Sequence, residues 1–300
     1  MPWFLLSFGS ALFLATTDAL SKRALQSEDE YIMAWVRMGY ALPFLLLLFP
    51  FVQFSYLDKT FWIAIVLCIP LEIVALLLYV KAIKISPLSS TIPFLALTPV
   101  FLIVTAYLVL GEKPDQSGLL GIFFVTLGAY LLNIGEWRNG WLEPLKALKR
   151  EKGSFLMLIV AFIYSITTTL GKKAVLHSSP VEFAIIYTFL LSLILFLIVW
   201  IRSGRGSFQR KGVWKYPLMG APTMSRNGLF WLIGFFYASM LACQYSAYAL
   251  TQASYVISVK RLSLIISIIY GGIFFKEINI RERLLGGVVM LIGVILITVF

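Results

Sequence analysis

Apolar residues in this chain come in long runs rather than at alternate positions, and charged residues gather in the short gaps between them. A hydrocarbon core ~30 Å thick takes about 20 residues of helix at ~1.5 Å per residue. Ten segments of that kind are predicted, at 2–21, 31–51, 61–82, 88–110, 117–134, 154–172, 181–201, 227–249, 254–275 and 283–300. Pro43, Pro70, Pro93 and Pro99 fall inside segments, where each frees a backbone carbonyl and permits a kink. The pattern predicts an all-α membrane protein.

The same pattern repeats. An offset of 165 lays residues 76–135 on 241–300 without a gap, so that Ala82 meets Ala247, Ser89 Ser254, Glu112 Glu277, Gly121 Gly286 and Gly128 Gly293. An offset of 150 aligns the earlier parts: Thr17 with Thr167, Leu20 with Leu170, Lys22 with Lys172. The longer loop at 202–226 absorbs the difference. Two halves of five helices each follow, 2–134 and 154–300, and an odd number per half inverts the second half relative to the first. The connector 135–153 interleaves Trp141, Leu142, Leu145 and Leu148 with Lys146, Lys149 and Arg150, the spacing of a short helix on a membrane surface.

Composition narrows the class. Sixty per cent of the residues are apolar and 13% charged, against about 25% charged in soluble domains. The first segment lacks a basic leader and a small-residue cleavage site and reads as a retained helix. Cys68 and Cys243 both fall in apolar segments, as small core residues rather than a redox pair. The one histidine, His177, is in a loop, no cluster has metal-ligand spacing, and no Gly-rich phosphate loop follows a strand. Neither a metal nor a cofactor is predicted. The net charge of +11 lies in short loops, where it reports topology and contact with anionic lipid rather than nucleic acid. Eighteen loop Lys and Arg fall on the side of the connector and four, Lys59, Lys113, Lys172 and Lys173, on the other. That bias places the connector in the cytoplasm and both termini outside.

A few polar residues lie where the hydrocarbon would be. Lys260 and Arg261 sit about two turns inside the ninth segment, roughly 9 Å from its start. A cation facing lipid there costs on the order of 3 kcal/mol or more, so the pair is expected to face a cavity, or an internal acid as a structural ion pair. Arg offers a planar fork and Lys a point charge, which together suit a phosphate or carboxylate. Glu72, in the middle of the third segment beside Pro70, is a candidate for proton coupling or for balancing those cations. Asp18 and Arg37 fall at similar depth in the first hairpin, as a structural or gating ion pair. Hydroxyls and amides on segments six and eight (Tyr164, Ser165, Thr167, Thr168, Thr169, Gln244, Tyr245, Tyr248) are interhelical glue or a polar cavity wall. Glu112, Glu277 and Glu182 lie at segment ends and read as structural.

Ten segments in two halves, each with a Gly-Glu-Lys-Pro or Lys-Glu turn (Gly111-Glu112 with Gly121; Lys276-Glu277 with Gly286), resemble the EamA branch of the drug/metabolite transporter superfamily. The resemblance spans the chain. It implies a secondary carrier of amino acids, other metabolites or drugs, with a site between the halves. Many such carriers keep both termini in the cytoplasm, the opposite of the charge bias here. The Lys260-Arg261 pair is also similar to the ninth-helix pair with which triose-phosphate translocators bind phosphate, and Tyr237 matches a phosphate-contacting tyrosine of that group. Their third basic ligand, a lysine four residues before a helix-four proline, is Leu95 here, ahead of Pro99. A carboxylate or zwitterion is therefore as good a cargo as a doubly charged phosphate.

The expectation is a secondary active transporter, not an enzyme, in a bacterial or archaeal cytoplasmic membrane, proton-coupled or an exchanger, monomeric or homodimeric. It would move a small anionic or zwitterionic metabolite, with Lys260 and Arg261 on the acidic group, Tyr237, Gln244 and Tyr248 orienting it, and Glu72 balancing or coupling charge. The alternatives are a lipid or lipid-phosphate translocase and, behind it, an intramembrane enzyme. The absence of an intramembrane His, paired carboxylate or metal set argues against the enzyme.

Overall fold

The structure, a computed structural model, describes residues 1–26, 28–52, 56–86, 91–131, 152–210, 226–275 and 280–299. Every regular element among them is helical: α1 (Pro2–Ala24), α2 (Glu30–Gly39), α3 (Leu42–Leu46), α4 (Lys59–Ile85), α5 (Thr98–Leu110), α6 (Gln116–Leu131), α7 (Lys152–Leu176), α8 (Pro180–Arg210), α9 (Arg226–Tyr248), α10 (Ala253–Lys260), α11 (Ser263–Phe275) and α12 (Ile280–Val299). Six stretches are long and apolar enough to cross a membrane: α1, α4, α7, Pro180–Arg202 of α8, Asn227–Tyr248 of α9, and Ala253–Ile273, which joins α10 to α11. Phe94–Leu110, Gln116–Leu131 and Gly286–Val299 are shorter apolar helices. The connector lies outside the described residues apart from Lys152 and Gly153, which open α7 rather than precede it.

Three expected segments are not continuous helices. The second breaks after Gly39, because Pro43 has no N–H to give the Gly39 carbonyl and its ring crowds that oxygen. Segment four enters through a 3₁₀ stretch, Ile92–Leu97, with Pro93 at its start and Pro99 opening α5. Segment nine breaks at Arg261 and Leu262 without a proline. The backbone tightens there to i−3 bonds, Leu262 to Val259 at 3.0 Å and Leu264 to Arg261 at 2.9 Å. Thr98, which opens α5, is the offset-165 mate of Ser263, which opens α11, so the two discontinuities occupy equivalent places.

Helix packing follows the repeat. α4 packs on α7, and the equivalent pair is α9 on α1; α2 packs on α8, and α6 on α12. A Cβ on Gly121 would come within 2.6 Å of the Gly293 carbonyl oxygen, and one on Gly128 within 2.6 Å of that of Gly286. Each contact becomes the other under the 165 offset, and the pairing runs antiparallel. Only glycine lets two backbones approach so closely. Ser7, Ser10, Ala11, Ala15 and Ala19 give α1 a small-residue face of the same kind toward the bundle. Large apolar side chains such as Leu67, Leu108, Phe123 and Val288 stay exposed on the outside, a surface suited to lipid.

The Gly-Glu turn has a local cause. Gly111 ends α5 at φ 70°, a left-handed cap that favours glycine. Glu112 then turns back to accept the Ala253 N–H at 3.0 Å at the start of α10 and to pair with Lys172, which also donates to the Thr251 carbonyl at 2.5 Å. At the opposite end of the bundle Lys22, the mate of Lys172, donates to the carbonyl of Ser86, the mate of Thr251, at 2.6 Å. Asp58 caps α4 through the Phe61 N–H at 2.8 Å and meets His177 Nδ1 at 2.9 Å. The Phe61 N–H, with His177 adding to it, holds the Asp58 carboxyl below the usual range.

Candidate functional site

Between the two halves lies a cavity of about 80 Å³, room for roughly five to eight waters at about 10–15 Å³ each. Its walls come from both halves. Leu14 and Tyr164, Arg37 and Tyr187, Glu72 and Tyr237, Tyr79 and Gln244, and Leu95 and Lys260 all line it. Each of those couples is related by one of the two offsets. The cavity therefore sits on the axis that exchanges the halves.

Lys260 ends α10 and Arg261 caps it, so both stand at a helix C-terminus, where unpaired carbonyls favour positive charge. Lys260 Nζ donates to Gln244 Oε1 and lies 3.3 Å from Met240 Sδ. Gln244 Nε2 donates in turn to the Tyr248 hydroxyl at 2.5 Å, which fixes the amide with its oxygen toward the lysine. Arg261 is 4% exposed. Its Nε has no partner, and among the described residues no carboxylate comes within ion-pair distance of Arg261 or Lys260.

Glu72 is half-buried at the centre of α4 and faces the same cavity, whose lining also includes Thr167 and Tyr187. The internal ion pair between Glu72 and Lys260 or Arg261 that the sequence allowed is not formed. Arg37, by contrast, is fully engaged. Its Nη2 meets Asp18 Oδ1 at 2.7 Å with both side chains at most 2% exposed, and its Nε donates to Ser21 Oγ at 3.1 Å. Tyr79 donates to the second Asp18 oxygen at 2.5 Å. Arg37 borders the cavity and Asp18 stands behind it.

The arrangement brings together Lys260, Arg261, Tyr237, Gln244, Tyr248, Glu72 and Arg37 around one space. Tyr79, Tyr187 and Phe183 line it too, and sequence reasoning did not single them out. Tyr79 and Tyr187 carried a signal, since they are the repeat mates of Gln244 and Arg37. Chemically, the cavity offers an uncommitted guanidinium, an ammonium held by an amide, a carboxylate and an aromatic wall.

The model of the EamA-like transporter family matches residues 1–134 and 151–299. A solved crystal structure superposes with a TM-score of 0.66 at 12% identity, covering 99% of this chain and 96% of that one, a likeness of fold. No curated protein matches in sequence.

Proposed function

The chain belongs to the EamA-like transporter family, and we propose that it is a secondary carrier that moves a small anionic or zwitterionic metabolite by alternating access. As a member with six long apolar helices it is an integral multi-pass membrane protein. In this reading ten membrane segments form two inverted five-helix repeats. The mate-for-mate packing and the paired discontinuities of segments four and nine support that reading. Discontinuous helices at a repeat interface are where such carriers place their cargo.

The observation that carries the proposal is Arg261: a buried guanidinium without a partner, beside a lysine without an acid, facing a cavity between the halves. A buried cation left unpaired costs several kcal/mol, and a cargo acid offsets that cost. Arg261 takes the acid through its fork, Lys260 adds a point charge, and Gln244 and Tyr248 hold Lys260 in place. Tyr237 stands beside them, and the similarity of the Lys-Arg pair to that of triose-phosphate translocators supports the same assignment.

The empty carrier would have to change state with Lys260 and Arg261 unpaired and only the Glu72 carboxylate in the same cavity, whereas the loaded one would not. Exchange is therefore faster than net flux. The membrane would be a bacterial or archaeal cytoplasmic one, and the loop charges favour both termini outside it. Asp18, Arg37 and Tyr79 would close one end of the cavity as a gate.

Metabolite profiling of cells with and without the protein identifies the cargo, and counterflow in proteoliposomes tests the mode. Accumulation of labelled cargo against an internal unlabelled pool is expected. Equal rates of net efflux and exchange, or a cargo without an acidic group, would overturn the proposal.

A further inference from the structure

We infer that the Glu72 side of the cavity receives a methylated onium group, so that the cargo is a betaine-type zwitterion: an acid on Arg261 and Lys260, and a quaternary ammonium or sulfonium beside Glu72 within the tyrosine wall. The inference rests on the anion-binding reading of Lys260 and Arg261 and adds the second pole.

Charge separation is the first ground. Glu72 shares a small cavity with Lys260 and Arg261, yet no described cation comes within ion-pair distance of its carboxylate. Opposite charges held apart across one space fit a ligand that carries both. The wall is the second ground. Tyr164, Tyr187, Tyr237, Tyr245 and Phe183 border the same space as the carboxylate. Phe183 stacks on Tyr187 at 4.9 Å and meets Tyr245 edge-on at 4.8 Å, so these three rings form a continuous panel. Aromatic rings with a nearby negative charge recognise onium groups through the ring quadrupole.

The third ground separates a methylated onium from a primary ammonium. An –NH₃⁺ group asks for three directional acceptors. Here Gln244 Oε1 is taken by Lys260, and the Tyr187 hydroxyl meets Cys68 Sγ at 3.1 Å, so the lining beside Glu72 offers ring faces more than free acceptors. A methylated onium needs no acceptor and spreads its charge over carbon, which suits ring faces.

The test is equilibrium binding to the purified full-length protein. The probes are glycine betaine, dimethylsulfoniopropionate, and 3,3-dimethylbutyrate, which replaces betaine's nitrogen with carbon and keeps its shape. An onium probe is expected to bind at least tenfold more tightly than the carbon isostere. Glu72→Gln should bring that ratio close to one. The wild-type comparison needs no variant, so a folding defect in Glu72→Gln does not remove the test. An isostere that binds as well as the onium probes, a preference that survives in folded Glu72→Gln, or failure of both onium probes to bind overturns the inference. Isostere binding that is lost in Arg261→Met but shows no onium preference overturns the onium pole alone. Binding indifferent to Arg261→Met overturns the anion reading beneath it.

Discussion

Two arginines border the cavity, and opposite consequences follow from removing them. Arg37 and Arg261 are 1% and 4% exposed. Arg37 is bound to Asp18 and Ser21, while the Nε of Arg261 is bound to nothing. Arg37→Met leaves the Asp18 carboxylate buried with only the Tyr79 hydroxyl, and stripping one partner from a buried pair costs about 3–5 kcal/mol. Arg261→Met removes an unmet buried donor, whose burial costs about 1–3 kcal/mol, so the empty protein should be as stable as wild type or more so. Binding should move the other way. Losing a hydrogen bond to a charged group costs about 1.5–3 kcal/mol, or roughly ten- to over a hundredfold in affinity. Thermal unfolding of both purified variants, with transport measured in parallel, checks the pair. Arg37→Met should unfold several degrees lower, and Arg261→Met should hold its melting temperature and lose transport. Equal destabilisation of the two, with transport preserved in Arg261→Met, would refute the view that Arg261 is reserved for a ligand.

Arg261→Lys should recover only part of the affinity lost in Arg261→Met, because a point charge cannot reproduce the two-pronged contact; full recovery in a binding assay would argue for charge alone. Glu112→Ala leaves Lys172, with a side chain 7% exposed, without its acid and is expected to destabilise the protein by about 3–5 kcal/mol in thermal or denaturant unfolding. Asp58 is held below its ordinary value of 3.8, so its contribution is fully present above that value and is lost as pH falls through the lowered one. The stability gap between wild type and Asp58→Asn should stay constant from neutral pH down to that region and close below it. Gly293→Leu would drive a side chain into the Gly121 carbonyl and the Val125 backbone, and should lower the yield of folded protein far more than Gly9→Ala, where the nearest atom is 3.5 Å away.

How much of this was legible depended on which force set each feature. The helical, apolar character of the segments follows from hydropathy, because burial in hydrocarbon acts on every residue of a span, and six of the helical stretches among the described residues are long and apolar enough to cross. The breaks were harder. Pro43 sits at the right place to end α2, yet a proline such as Pro70 continues inside α4, so the residue alone does not decide. At Arg261 no proline marks the break, and the tightening to i−3 bonds is set by packing that single residues do not report. Lys260, Arg261 and Glu72 were conspicuous as charges in apolar runs. That they would share a cavity without pairing could not be read, since it depends on distances between helices far apart in the chain. Tyr79 and Phe183 were hidden among many aromatics, most of which meet lipid or core. The repeat, applied to the polar candidates one by one, would have exposed Tyr79 through Gln244 and Tyr187 through Arg37.

The repeat also explains why the site needs its departures from symmetry. A cavity on the axis that exchanges the halves receives each lining position twice, as with Glu72 and Tyr237 or Leu95 and Lys260. Had both halves kept the charged residue, two lysines or two glutamates would face each other in a low-dielectric space and repel. In three of the five couples the chain places charge in one member and an uncharged residue in the other, Arg37 against Tyr187, Glu72 against Tyr237 and Lys260 against Leu95, and no couple is charged in both. The scaffold stays symmetric where packing demands it, at Gly121, Gly128, Gly286 and Gly293. The chemistry is polarised where a ligand has two different ends. Restoring the missing symmetry is therefore predicted to be harmful. Leu95→Lys would set a second ammonium into the space that holds Lys260 and Arg261, with no acid beyond Glu72 to balance three cations. The variant should retain its fold only at low yield and favour more highly charged anions over a zwitterion in competition binding. An unchanged preference with normal yield would mean that Leu95 and Lys260 do not act on the same bound molecule.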